Sequence, residues 1–275
     1  MWKILVPLDG SEARERAIPW ADNLASALNA ELTLMRVLPD GASDETALRD
    51  LKRVRQGMRR PAAVSIQIVY GELAETVGER ARDGYDAVVI GSRIEHGRAR
   101  TDQESTLAEV IQRAGVPVLT LDPATAHRGP RLPRRIVVPL DGSEAAAGVL
   151  PFVAAWARPL HCMVMLVGVH APESEHGSTF RDMGGYLHHA GAELTKQGIP
   201  TRTVVRVGKP GPAILEFARA ASADIIAMSL GTQRAAHLRL GGVAEYVLAN
   251  APVPVLAIYP LAAGPIEQTS LASVA

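Results

Sequence analysis

The chain has 275 residues, 29 basic and 29 acidic, 47% hydrophobic and only 4% aromatic. That length fits one large domain or two ordinary ones, at roughly 100–200 residues each. The zero net charge offers no general field for nucleic acid or an anionic membrane, so neither is expected as a partner.

The lone cysteine, Cys162, excludes an internal disulfide and a multi-cysteine metal site. No apolar stretch approaches the ~18 residues of a membrane span. The apolar opening reaches Asp9 too soon for a signal sequence. A cytoplasmic protein is expected.

The first apolar run covers 2–8, and a helical pattern near 12–29 follows it. Next come a run at 31–37, a helix near 45–59, a run at 64–70 and a helix near 72–83. A run at 86–91, a helix near 104–114 and a run at 117–121 complete the series. Residues 123–133 hold three prolines and one glycine and read as an exposed linker. The series then restarts, with runs at 134–140, 162–169, 201–207, 224–229 and 253–259 and helical counterparts between them. Residues 261–275 are small or polar without a period and read as a disordered tail.

The runs are rich in Val, Ile and Leu and too short for buried helices. Their alternation with helices predicts right-handed βαβ units. The expected fold is α/β, with two tandem doubly wound domains at 1–122 and 134–260. Each is expected to hold a five-stranded parallel sheet with helices on both faces. Ligands in such sheets bind at the carboxyl ends of the strands, where the strand order switches.

The two halves are copies. Val6-Pro7-Leu8-Asp9-Gly10-Ser11-Glu12 returns letter for letter as Val138-Pro139-Leu140-Asp141-Gly142-Ser143-Glu144, at an offset of 132. Pro19 corresponds to Pro151, and Val37 to Val169. Val116-Pro117-Val118 returns as Val253-Pro254-Val255 at an offset of 137, so copy two carries extra residues, expected around 171–185. A period this long duplicates a whole domain and not a solenoid unit.

Asp9-Gly10-Ser11 falls where strand one turns into helix one; Gly10 permits the turn and Ser11 suits the helix cap. Asp9 either bonds local backbone N–H groups or offers its carboxylate to an adenine amino group or a ribose hydroxyl. Asp141 carries the same two readings. Helix N-termini attract phosphate, yet Glu12, Glu15 and Glu144 occupy these first turns and would repel it. Phosphates would then belong at the loop after strand four. Copy two has Gly231 there and, after nine residues, Gly241-Gly242, whose backbone can approach phosphate oxygens. Copy one has Gly91 but ends its loop on Glu104-Ser105-Thr106. Both loops can equally be plain crossings.

These residues together resemble the universal stress protein family, over nearly the whole chain and twice. The carriers are Ile4 to Ser11, Ile136 to Ser143, Gly208-Lys209-Pro210, Asp224 to Met228, Val243 to Leu248 and Ala251 to Leu256. The resemblance implies strand order 3-2-1-4-5 in each domain. It also implies association through the last strands, here as an internal pseudo-dimer that could form a further homodimer.

Some members of the family bind ATP through Gly-x2-Gly-x9-Gly-Ser/Thr; others lack the pattern and do not. Neither copy keeps it whole. In copy two, Gly231 and Gly241 fit one register, with Met228 at the first glycine and Gly242 at the Ser/Thr. A shift by one puts Ser229 and Thr232 at the first two positions. Copy one keeps Gly91 and Ser105 or Thr106, with Ile94 and Glu104, or Glu95 and Ser105, at the lost glycines. The resemblance implies that Asp141 and Val169 hold adenosine, while Gly231, Gly241, Gly242 and Val243 face the phosphates. Asp9, Val37 and Gly91 keep part of a site in copy one.

The expected function is binding of ATP or another adenine nucleotide, mainly in the second domain, in a stress-response role. The alternative is a nucleotide-free scaffold that uses the same fold for partners. Signatures of P-loops, dinucleotide folds and nucleophile elbows are missing, so no catalytic residue is nominated and any ATP hydrolysis is expected to be slow. No metal is expected beyond magnesium carried by the nucleotide. Arg49, Lys52, Arg53, Arg55, Arg59 and Arg60 read as a solvated face, and Arg93, Arg98 and Arg100 as a solvated loop. His170, His176, His188 and His189 are not spaced as a metal site.

Overall fold

A computed structural model describes residues 1–92, 102–122, 131–171, 180–230 and 241–259; the side chains of 102–105 and 180–181 lie outside that description. Copy one runs β1 (Lys3–Leu8), α1 (Glu12–Glu15), α2 (Ala17–Leu28), β2 (Glu31–Leu38), α3 (Asp44–Gln56), β3 (Val64–Tyr70), α4 (Leu73–Arg82), β4 (Ala87–Gly91), α5 (Asp102–Ala114) and β5 (Val118–Leu121). Copy two runs β6 (Arg135–Pro139), α6 (Glu144–Ala147), α7 (Leu150–Leu160), β7 (Met163–His170), α8 (Phe180–Lys196), β8 (Thr201–Val207), α9 (Pro210–Ala220), β9 (Ile225–Ser229), α10 (Gly242–Asn250) and β10 (Val255–Ile258). Each expected apolar run is a strand. Most of the linker and the whole tail lie outside the described residues, as do Arg93, Arg98, Arg100 and His176.

The single helix expected over 12–29 is two helices, and copy two repeats the break. Proline lacks an N–H and its ring clashes with the carbonyl four residues back. For Pro19 that residue is Glu15, where α1 ends; for Pro151 it is Ala147, where α6 ends. The prolines are thus placed in the first turn of α2 and α7, where a missing donor costs least.

The strands form one sheet in the order β3-β2-β1-β4-β5-β10-β9-β6-β7-β8. Each copy therefore has the order 3-2-1-4-5 and is parallel throughout. The copies meet where β5 pairs antiparallel with β10, with Leu119 opposite Leu256 and Thr120 opposite Val255. The buried Thr120 hydroxyl donates to the Val255 carbonyl at 3.2 Å, so the seam leaves no hydroxyl unpaired.

Alternation along the strands divides the core into two layers. Ile4, Val6 and Leu8 join Ile136 and Val138 on one face, covered by Trp20, Leu24, Val153, Trp156 and Leu187. Leu5 and Val137 point the other way, under Val77, Ile111, Ile214, Phe217 and Val247. Both layers run through both copies. Trp2 and Trp156 meet edge to face across the copies, with ring centroids 6.2 Å apart, an arrangement aromatic pairs favour. In α3, Ala47 and Leu51 are buried while Arg49, Lys52 and Arg53 are exposed, as a solvated basic face requires.

Cys162 is fully buried and donates to the Pro133 carbonyl at 3.0 Å. Burial, with a smaller push from the Asp224 charge, raises its thiol from about 9 to about 12. An unfolded chain loses this proton near 9, so the stability involved is whole below that pH and falls as pH rises toward 12. Cys162→Ala is therefore expected to flatten the alkaline decline in stability, measured as urea midpoints below pH 9 and at about pH 11. Native wild-type protein should also resist thiol reagents at neutral pH and react once unfolded.

Candidate functional site

In the order 3-2-1-4-5 the direction of winding reverses between strands one and four, which are β1 and β4 in copy one and β6 and β9 in copy two. A crevice must open there because the connecting helices leave to opposite faces. In copy two it is a cleft of about 320 Å³. Asp141 at the end of β6, Val167 and Val169 on β7, Ser229 at the end of β9, and Gly241, Gly242 and Val243 at the start of α10 all line it. The sequence-predicted residues Asp141, Val169, Gly241, Gly242 and Val243 thus come together, while Gly231 lies outside the described residues.

The turn after β6 is built by its own side chains. Gly142 takes φ +89°, a left-handed value that glycine tolerates. Asp141 Oδ1 accepts from the Ser143 N–H at 2.9 Å and from its hydroxyl at 2.6 Å. The Ser143 Oγ then accepts from the Ala146 N–H at 3.1 Å and caps α6. Both readings of Asp141 are compatible with this turn, because Oδ1 serves the turn while the residue also lines the cleft, with no ion pair to it among the described residues.

At the other wall, α10 starts without a capping side chain, since its N-cap is Gly241. Among the described residues, a Cβ built on Gly241 or Gly242 would meet nothing within 4 Å. Gly241 has φ −62° and ψ 146°, values any residue adopts. Neither packing nor backbone geometry calls for glycine here; an open wall of backbone N–H groups is what these residues create.

Sequence reasoning missed two neighbours, Tyr186 and Ala146, and had Ser229 only as a position of the shifted loop register. Among the described residues, Ser229 Oγ is buried at the cleft without a hydrogen-bond partner. Tyr186 on α8 has its hydroxyl buried and unpartnered; burial pushes its acidity down and the Asp141 charge adds to that. Tyr186 sits on a helix preceded by the extra residues of copy two, so no repeat pointed to it. Ala146 lines the cleft and would have been found by asking what stands at the counterpart of Arg14.

Copy one keeps the same turn. Gly10 has φ +84°, and Asp9 Oδ1 accepts from the Ser11 N–H at 2.9 Å and its hydroxyl at 2.6 Å. Its crevice differs. The Arg14 side chain is buried, its Nε 3.7 Å from Asp9 Oδ2 and its Nη1 donating to the Gly91 carbonyl at 2.8 Å. Gly91 faces α1, and a Cβ there would stand 2.0 Å from the Ala13 carbonyl oxygen. Val37 is buried in the layer under α4 and α5.

Strand pairing fixes the loop register. Ile4 opposite Ala87 and Ile136 opposite Ile225 make Gly91 the counterpart of Ser229. The buried faces of α5 and α10 align Leu107 with Ala244 and Val110 with Val247. Copy two therefore has one residue fewer between Ser229 and Ala244 than copy one has between Gly91 and Leu107.

Among the described residues no group of three or more His, Cys, Asp or Glu side chains could hold a metal ion. No helix there is long and apolar enough to cross a membrane.

A twice-repeated doubly wound domain with an open crevice at its switch point defines a class, and comparison with known proteins agrees. The sequence profile of the Universal stress protein family matches residues 1–121 and again 133–258. The chain belongs to this family. Universal stress protein MJ0531 of Methanocaldococcus jannaschii is 29% identical over 150 residues, 48% of this chain and 85% of its own length. A universal stress protein from Archaeoglobus fulgidus shares the fold across 94% of this chain and 98% of its own, at a TM-score of 0.75 and 19% identity. A universal stress protein from Pseudomonas aeruginosa covers 94% of this chain and 93% of its own at a TM-score of 0.64 and 17% identity.

Gly91 and Gly242 should separate structural from ligand-facing glycine. Gly91→Ala is expected to cost about 1–3 kcal/mol, because α1 must shift off β4. Gly242→Ala should leave stability equal or raise it by up to ~1 kcal/mol, since Ala favours helix. Thermal and urea unfolding of both variants would check this.

Proposed function

We propose that this protein binds an adenine nucleotide, ATP or AMP, in the cleft of copy two, and acts as a cytoplasmic stress-response protein. The observation that carries this is the pair of glycines at the start of α10 that neither packing nor backbone geometry among the described residues requires, sharing one cleft with Asp141, which has no ion pair among those residues. In this reading Asp141 accepts from the ribose or adenine, Val169 contacts the base, and Gly231, Gly241, Gly242 and Val243 surround the phosphates. Glu144 is exposed and does not line the cleft, so its charge stays clear of them. Binding uses backbone N–H groups and hydroxyls; among the described residues no side chain is placed as a nucleophile with a partnered base, and hydrolysis in this reading is slow or absent. The two domains act as an internal pair joined at β5 and β10. The scaffold reading remains the competitor, and it predicts an empty cleft.

Purified without added nucleotide, the protein is expected to release up to one adenine nucleotide per chain on denaturation, read by anion-exchange chromatography. Gly241→Glu puts a carboxylate among the phosphates and is expected to weaken ATP at least tenfold, measured by calorimetry. Unchanged affinity would remove the phosphates from this wall.

A further inference from the structure

The two Asp-Gly-Ser turns are alike in sequence and in hydrogen bonds, and their surroundings differ. Copy one has Arg14 where copy two has Ala146. Ala146 lines the open cleft. Arg14 is 3% exposed, and it links Asp9 at the end of β1 to the Gly91 carbonyl at the end of β4. Those are the two strands between which the winding reverses, so the guanidinium bridges the crevice of copy one.

Two further contacts hold it there. Gly91 lets α1 lie directly on β4, and its counterpart in copy two is Ser229. Arg36, 8% exposed, pairs with Glu15 at the end of α1 at 3.0 Å and runs under Gly10, its Nη1 2.6 Å from where a Cβ would stand. Copy two has Gly168 at the counterpart of Arg36, and Met183 packs on it. In copy one, then, α1 is fastened to the sheet by two arginines that copy two lacks.

We infer that Arg14 is an internal plug: it takes the adenosine end of copy one's crevice, engages the carboxylate that a ligand would need, and leaves copy one a latent site for an adenine nucleoside. This rests on reading copy two's cleft as a nucleotide site. A buried guanidinium must keep its acceptors, because a ligand that took Asp9 from it would strand a charge out of water. The latent ligand is a nucleoside and not a triphosphate, since Ile94 and Glu104 stand where the family pattern has glycines. The plug makes the tandem chain unequal, with one receptive copy and one that is filled from within.

The test is calorimetric titration of wild type, Arg14→Ala and Ala146→Arg with adenosine, each first checked for fold by circular dichroism. Wild type is expected to take one equivalent and Arg14→Ala two. Ala146→Arg is expected to bind at least tenfold more weakly, because it builds the plug into copy two. If Arg14→Ala takes the same number as wild type, whatever that number, the plug is wrong. If wild type takes none and Arg14→Ala takes one, the plug stands and the reading of copy two fails. Should Arg14→Ala not fold, Ala146→Arg decides, and undiminished binding there overturns the inference.

Discussion

The antiparallel pairing of β5 with β10 is the constraint on which the rest of the molecule depends. Each copy alone would end its sheet on a four-residue strand with a row of unpaired N–H and C=O groups. Joined, these strands satisfy one another and become the centre of the sheet, with Leu119 and Leu256 side by side in the core. Both hydrophobic layers then pass through the seam, which is why Trp156 of copy two can pack against Trp2 of copy one. A parallel sheet needs both faces covered, and the duplicated helices cover both faces of both copies.

Within that frame the two switch-point crevices have diverged by small steps. The turn that ends strand one is fixed by Gly10 or Gly142 and by an Asp-Ser hydrogen-bond pair, and it is the same in both copies. In copy one the residue on strand four is glycine, and its missing side chain lets α1 lie directly on the sheet. A bulky cation then fills one crevice, and alanine leaves the other open. Burying an arginine is costly unless its charge is met, and copy one sets the Asp9 carboxylate 3.7 Å from it and gives Nη1 the Gly91 carbonyl.

Much of this could be read from the letters. Short Val, Ile and Leu runs located the strands because a buried parallel strand needs apolar residues on both faces, and the repeated seven-residue segment gave the duplication. The family resemblance supplied the strand order. Pro19 and Pro151 were visible, yet the helix break was missed, since a proline in the first turn of a helix is judged only against a known start. The loop register was ambiguous because the glycines shift by one residue between copies, and strand pairing was needed to anchor each end. Arg14 sits in a first helical turn, where a charge ordinarily points to water; its burial follows from Gly91, 77 residues away. Gly91 itself matched a phosphate-loop position, while the structure sets its missing side chain against α1.

The central claim is that the open carboxylate of copy two, and not its twin in copy one, holds the nucleotide. The most direct measurement compares ATP binding to Asp141→Ala and Asp9→Ala by calorimetry. The account predicts that Asp141→Ala loses at least tenfold in affinity while Asp9→Ala binds as wild type does. Equal loss in both variants, or loss only in Asp9→Ala, would contradict it.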